Sequence, residues 1–222
     1  MNNCKTSFVI LTVILGASLA QGQSFQNLDF ELANPSEAPP YKSPDTVTAA
    51  SAFPDWAVTF GSVQEQDVIY NSINGPAPEV ALIGPGRQFG IVYYPIDGSY
   101  SAVLRGSSSG PVPSISQTGL IPSGTQSLLF KTLPSFGTLN VAVGTQSVQI
   151  FPVGSGPNYT LYAADISAWA GQTAQLTFSV PEGEWEIDDI SFSPTAVPEP
   201  GIVTLSAMGG LLFGARKWFA RI

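Results

Sequence analysis

The chain has 222 residues, of which 11% are charged and 44% hydrophobic, with 22 glycines and 19 prolines. Between Gln21 and Val197 four basic residues (Lys42, Arg87, Arg105, Lys131) face fifteen acidic ones, a net of −11, which argues against nucleic acid or anionic lipid as a partner because both are bound by cations that displace counterions. There is no histidine and the one cysteine is Cys4, so Ser-His-Asp chemistry, a thiolate nucleophile and His/Cys metal clusters are excluded.

At the N-terminus, Lys5 precedes an apolar run from Phe8 to Leu19, and Ser18-Leu19-Ala20 places small residues where a signal peptidase reads. The run is short for a bilayer span, so residues 1–20 read as a signal peptide cleaved after Ala20. Few charges, many turn residues and scattered aromatics then describe a β-rich extracellular domain. The proline-rich stretch from Asn34 to Ser51 is expected to be a long surface loop.

Further along, Ser101–Arg105, Ser114–Thr118, Gln126–Lys131 and Gln175–Val180 alternate apolar and polar residues, the period of half-buried strands. Leu139–Val143 and Ser147–Phe151 flank Gly144-Thr145-Gln146, a hairpin signal. The nearest approach to a helix is Asp165–Gly171, where Asp165 caps a single turn and Gly171 ends it. About a dozen strands in roughly 177 residues fit an all-β, two-sheet antiparallel jelly-roll sandwich, an arrangement that hides most strand edges.

At the C-terminus, Val197-Pro198-Glu199-Pro200 is followed by an apolar stretch, Gly201–Ala215, and by the basic Arg216-Lys217 with Arg221. A fifteen-residue helix is roughly 22 Å long, shorter than a hydrocarbon core of about 30 Å, and its cationic end belongs on the cytoplasmic side. A Pro-Glu-Pro motif, an apolar helix and a basic tail in this order resemble the PEP-CTERM sorting signal. The resemblance implies an exosortase-type membrane enzyme as partner, removal of the tail, and export from the inner membrane to the cell envelope or exopolysaccharide matrix of a Gram-negative bacterium. The expected organisation is a signal peptide (1–20), a β-sandwich (21–193), a linker carrying Pro198, Glu199 and Pro200 (194–200), and a sorting helix with its basic tail (201–222).

The domain itself carries an ordered set of motifs: Asn27–Glu31, Phe53-Pro54-Asp55-Trp56, Gly98–Leu104, Ile115–Gln117, Asp165–Gly171 and Trp185–Phe192. In that order they resemble the galactose-binding-like jelly roll of many carbohydrate-binding modules. The resemblance implies that the first and last strands lie side by side, with Glu31 near Asp188 and Asp189 holding a structural calcium ion. The alternative is that these carboxylates sit on the surface or accept hydrogen bonds from turns.

Sugar binding needs aromatic faces with amides and carboxylates around them. Tyr70, Tyr93, Tyr94 and Tyr100, with Asn71 and Asn74, are the candidates, whereas Trp56, Trp169 and Trp185 fall inside fold motifs and are assigned to the core. Tyr93 and Tyr94 are adjacent, so in a strand their rings point to opposite faces and one is exposed. Glu184, Glu186, Asp188 and Asp189 form an acidic cluster in which Glu186 and Asp188 share a strand face about 6.6 Å apart. That separation is tolerable for a glycosidase pair, but it is commonplace on an acidic strand and nothing nearby supports catalysis. The expectation is therefore a non-catalytic exported protein that associates with polysaccharide; the alternative is a self-assembling surface protein without a specific sugar site.

Overall fold

Alternation of apolar and polar residues becomes strand almost everywhere the computed structural model describes the chain, namely residues 23–35, 46–73, 78–86, 89–90, 93–133 and 136–197. The signal-peptide segment, Asn74, and Pro198, Glu199, Pro200, Arg216 and Lys217 of the sorting signal lie outside the described residues. Among the described residues no helix is long and apolar enough to cross a membrane.

The strands are short until the last. β1 (Thr46–Thr48), β2 (Ala57–Phe60), β3 (Val63–Gln64), β4 (Asp67–Tyr70), β5 (Ser72–Ile73), β6 (Glu79–Ile83), β7 (Phe89–Gly90) and β8 (Ser101–Gly106) come first. β9 (Pro113–Leu120), β10 (Ser127–Thr132), β11 (Phe136–Val143), β12 (Gln146–Val148), β13 (Ile150–Ser155), β14 (Thr160–Asp165) and the 21-residue β15 (Thr173–Ser193) follow. Thirteen of them make one sheet that β15 holds together. The C-terminal half of β15 lies between β8 and β10 in a first layer ordered β1-β4-β6-β8-β15-β10-β14-β13. Its N-terminal half lies between β9 and β11 in a second layer, β3-β2-β9-β15-β11-β12.

Pairing is antiparallel apart from β4–β6 and the separate β5–β7 pair, which are parallel. An antiparallel arrangement throughout was expected. The difference arises because the chain leaves the sheet after β4 to form β5 and re-enters at β6 in the same direction.

The sheet curls so that apolar side chains of both layers share one core. A chain of rings records the closure. Phe30 packs on Phe53 and Trp56 with centroids 5.8 Å apart, Trp56 lies 6.4 Å from Phe178, and Phe178 meets Phe130 edge-on at 5.2 Å. Phe130 then stacks on Tyr162, whose edge meets Trp185 at 5.6 Å. Such pairs add about 0.5–1.5 kcal/mol each beyond the area they bury.

β15 changes which side of the strand faces that core, and it does so twice. Leu176, Phe178 and Val180 are buried, then Trp185 and Ile187, then Ile190. The parity goes from even to odd and back to even. Each switch coincides with an irregularity: a register shift between Ser179 and Glu182, opposite Asn140 and Thr138, and another opposite Leu129 and Lys131 at Asp189 (φ 49°). An extra residue in one strand of a ladder turns the following side chains over. This is why Glu184, Glu186 and Asp188 face away from the core.

The expected loop from Asn34 to Ser51 is overturned in its second part. Thr46–Thr48 is β1, and Ala49–Ala52 is one helical turn capped by Thr48, whose hydroxyl accepts the Ser51 N–H at 3.2 Å. Val47, Ala49 and Ala52 are buried, so small apolar residues draw this piece onto the core despite the prolines before it. The first strand of the resemblance is replaced by a turn-rich segment. It still meets the last strand, the Ile190 N–H donating to Leu28 O at 2.9 Å. Asn27, at φ 50°, fastens this segment to the Phe53–Trp56 motif: its amide donates to Pro54 O, and its carbonyl accepts the Trp56 indole N–H at 2.9 Å.

Candidate functional site

The even positions Glu184, Glu186 and Asp188 form rows across the outer face of the first layer. In one row, Arg105 donates through Nε to Glu184 at 2.6 Å and approaches Glu79 at 3.8 Å, while the Tyr93 hydroxyl donates to the other Glu184 oxygen at 2.5 Å. Burial, then the Glu184 carboxylate, raises the Tyr93 hydroxyl well above the usual tyrosine range. The next row sets Glu186 beside Val103 and Ala81. Glu186 is 3% exposed, and neither of its carboxyl oxygens has a hydrogen-bond partner. Burial pushes its pKa up to about 8, with Asp188 and Glu184 adding to the rise.

Asp188, 1% exposed, sits in the third row and is better served. Its carboxylate accepts the Ser101 hydroxyl at 2.8 Å and the N–H groups of Asp97 and Asp189. Burial outweighs these bonds and raises its pKa to about 7. Over it lies the segment from Tyr93 to Ser101, fastened at several points. Lys131 bridges Asp97 and Asp189 at 2.6 and 2.8 Å, Asn158 donates to Ile96 O, and Glu31 accepts the N–H groups of Ser99 and Tyr100. Hydrogen bonds that Lys131 donates to the two carboxylates raise its pKa beyond its ordinary range, and the Lys131 bond lowers that of Asp97.

Glu31 and Asp188 thus serve the same turn, whereas Asp189 turns to Lys131. Among the described residues no three His, Cys, Asp or Glu side chains are grouped to hold a metal ion. Lys131 places a positive charge among the carboxylates where the resemblance implies calcium.

The four tyrosines do not share a surface. Tyr70 donates its hydroxyl to Pro85 O, and Tyr100 lies across Gly84, where an added Cβ would stand 2.4 Å from the ring. Burial and nearby Tyr100 raise the Tyr70 pKa. Asn71, at φ 52°, knits the same corner by donating to Pro85 O and accepting the Gly84 N–H. Tyr93 is engaged with Glu184, whereas its neighbour Tyr94 is 73% exposed. Of the tryptophans, Trp56 and Trp185 are buried as expected; Trp169 is partly buried and packs against the rim of the core.

Trp169 instead borders a groove of about 590 Å³ at one end of the second layer. Around the indole stand Thr118, Gln146, Gln172, Thr173 and Gln175, with Thr145 at the hairpin tip, and among the described residues no charged side chain lines it. Its walls are tied to the sheet. The Gly144 N–H donates to Gln175 O at 2.7 Å, locking the β11–β12 turn onto the start of β15. The expected Asp165 cap is displaced by one residue: the N-cap of the 3₁₀ turn Ser167–Trp169 is Ile166, with Asp165 just before it accepting the Ser167 N–H at 2.9 Å, and Gln172 donates its side-chain amide to Ala168 O at 2.7 Å. A fixed indole face among amides and hydroxyls can take the apolar side of a sugar ring and its hydroxyl rim. Sequence reasoning missed this groove because Trp169 read as core. The available signal was two turns, Gly144-Thr145-Gln146 and Gly171-Gln172-Thr173, each presenting uncharged polar residues.

No known family matches the chain, and no curated protein matches it. Among solved structures, it resembles the enzymatically active domain of tailspike protein 4 of bacteriophage CBA120, at 15% identity and a TM-score of 0.40. That match covers 77% of this chain and 21% of the other, so the chain spans about a fifth of the tailspike structure. It also resembles the module TmCBM61 solved with β-1,4-galactotriose, at 14% identity and a TM-score of 0.35, covering 77% of this chain and 97% of that one. Both superpositions are loose, and the chemistry of this chain rests on its own residues.

Proposed function

We propose that the chain is a non-catalytic exported module, a jelly-roll β-sandwich that holds neutral polysaccharide in the groove beside Trp169. The observation that carries this reading is the lining: one indole and six exposed amide or hydroxyl side chains, with no charge among them. Neutral sugar suits that lining, and an acidic body disfavours uronate chains by like-charge repulsion. The closed state of Glu186 and Asp188 supports the non-catalytic part, since carboxyl groups 3% and 1% exposed do not meet a glycosidic bond in this conformation. Export through an exosortase-type enzyme to the envelope or matrix rests on the sequence of the two tails.

The test is retention of the full chain, purified in detergent, on gels containing neutral or uronate polysaccharides. Retardation by a neutral polymer is expected, with Trp169→Ala and Gln146→Ala each weakening it at least tenfold; the variant at the exposed Gln146 should do so at an unchanged melting temperature, whereas Trp169→Ala also lowers it by removing a ring packed on the core rim. Undiminished retention in both variants would remove the groove from the account. Concentration-dependent self-association without retention would favour a self-assembling surface protein. Intact mass from the native envelope tests sorting: a product from Gln21 to near Pro198-Glu199-Pro200 supports it, and a tail retained to Ile222 overturns it.

A further inference from the structure

The outer face of the second layer is built almost entirely from small uncharged residues, most of them polar. Cα registers set Ala142, Thr177, Ser116 and Ala57 side by side, and next to them Asn140, Ser179, Ser114 and Thr59. Gln175 and Thr118 form a further pair toward the Trp169 groove. The alternate residues Val141, Leu176, Phe178, Ile115 and Val58 are buried in the core, so the polar set lies on the opposite side; Asn140, Gln175 and Thr118 are exposed there, Thr59, Ser114, Thr177 and Ser179 half-buried, and Ser116 buried. The hydroxyls are linked across strands: Thr59 and Ser114 lie 2.6 Å apart, and the Gln175 amide donates to Ser116 at 3.4 Å. No charge interrupts these positions.

At the far end of this face, β11 begins with Phe136, 68% exposed and on the same side as Asn140 and Ala142. The ring stands over a second cleft of about 360 Å³ that it shares with Arg105, Ser107, Ser108 and Glu182. Gly106 and Gly183 leave part of its lining as bare backbone. Arg105 is neutralised by Glu184 and Glu79, so the cleft has no drive toward an anion. An exposed ring over hydroxyls and a carboxylate suits a neutral sugar, as the Trp169 groove does. From Phe136 to Val143, the two clefts are separated by seven residues of β11, about 23 Å at strand rise.

We propose that the groove at Trp169, the hydroxyl face and the Phe136 cleft form one extended site that holds a run of several sugars along β11 and β15, within a polysaccharide chain and not only at its end. This rests on the reading of the Trp169 groove as a glycan site. Trp169 and Phe136 anchor the two ends of the run, and the Ser, Thr and Asn rows contact hydroxyls between them.

The experiment is calorimetric titration of the full chain with neutral oligosaccharides, from disaccharide to octasaccharide, drawn from the polymer that retards it best. Affinity is expected to climb at least tenfold with length before levelling off. Phe136→Ala should remove that gain for the longer oligomers while leaving the shortest unaffected, and Trp169→Ala should weaken all lengths. Because Phe136 is exposed, its variant should melt as the wild type does; Thr138→Glu, which puts a charge at an exposed position of the same face, is a second probe expected to act on long oligomers alone. Binding that is independent of length, or untouched by both Phe136→Ala and Thr138→Glu, overturns the extended site and leaves the groove standing. Failure of every length and of the parent polymer overturns the groove and the extended site together.

Discussion

Glu186 and Asp188 sit two residues apart on one face of β15, both sealed from solvent, yet only Asp188 is given hydrogen-bond donors. A buried carboxylate without donors is strongly disfavoured, so the proton stays on Glu186 well past the usual range. The pair is held beneath the segment from Tyr93 to Ser101, which the Asp188 bonds and Lys131 keep down.

Stability should therefore fall as pH rises, the reverse of the usual carboxylate behaviour. With folded pKa values of about 8 and about 7, the folded chain binds more protons than the unfolded one between about pH 4 and pH 8. The derivative of unfolding free energy with pH is then negative, so the stabilisation is complete below the unfolded pKa values and lost as pH passes through the folded ones. Asp97 and Asp165, whose pKa values are lowered, act in the opposite sense only near pH 4. Thermal melts in EDTA should show a midpoint that drops by several degrees from pH 5 to pH 8.5, and Glu186→Gln should flatten that slope. A midpoint that rises over the same interval would mean that the pair is ionised in the fold.

Arg105 should be among the most costly single losses on the same face. It is the cation between Glu79 and Glu184, whose side chains are only 8% and 13% exposed. Arg105→Met leaves two shielded carboxylates without it, and breaking a buried pair in this way costs about 3–5 kcal/mol. Chemical denaturation should show a loss of that order. A double replacement, Arg105→Met with Glu184→Gln, should recover part of it, because the orphaned charge is removed as well.

Gly183 follows the first parity switch of β15, at φ 93° and against the backbone of Phe136. A methyl group there meets a carbonyl oxygen at 2.1 Å and cannot turn aside. Gly183→Ala should cost more than the ~1 kcal/mol typical of a point change, whereas Gly124→Ala, at φ 86° with nothing within 4 Å of the added Cβ, should cost only the left-handed conformation. Comparing the two by denaturation separates steric conflict from backbone strain. Equal losses would mean that the β11–β15 junction yields.

The strand at Gln175–Val180 was legible because it has one wetter and one dry face, those at Ser101–Arg105, Ser114–Thr118 and Gln126–Lys131 because polar residues alternate with apolar ones even where both faces are covered, as at Ser101 and Val103, and the β11–β12 hairpin because Gly144 supplies its turn at φ 62°. Two features were not legible. Whether Glu186 points inward or outward depends on the parity switches at Val180-Pro181 and Asp189, and register shifts leave no mark in a single strand's alternation. The groove was hidden for a related reason: Trp169 joins Gln146 and Gln175 only once the β11–β12 turn is docked on β15, a contact between residues far apart in sequence. Helical periodicity likewise gave no hint of Ala49–Ala52, since a single turn is too short to show a period.

Lys131 decides how the carboxylates at the Asp97 turn respond to calcium. Its ammonium lies within 2.8 Å of both Asp97 and Asp189 and 4.9 Å from the centre of the Tyr159 ring. Calcium needs six to eight oxygens, and Asp189 has one of its two carboxylate oxygens held by Lys131, whose charge opposes a second cation there. Millimolar calcium should accordingly shift the wild-type melting midpoint by no more than about 1 °C relative to EDTA. A micromolar site under the same conditions would add about 4 kcal/mol, which is several degrees for a domain of this size. In Lys131→Met the acids lose their cation. That variant should melt lower than wild type in EDTA and recover part of the difference when calcium is added. A large calcium shift in the wild type would show that Glu31, Asp188 and Asp189 gather around the ion despite Lys131, and a variant indifferent to calcium would show that the turn lacks the remaining oxygens.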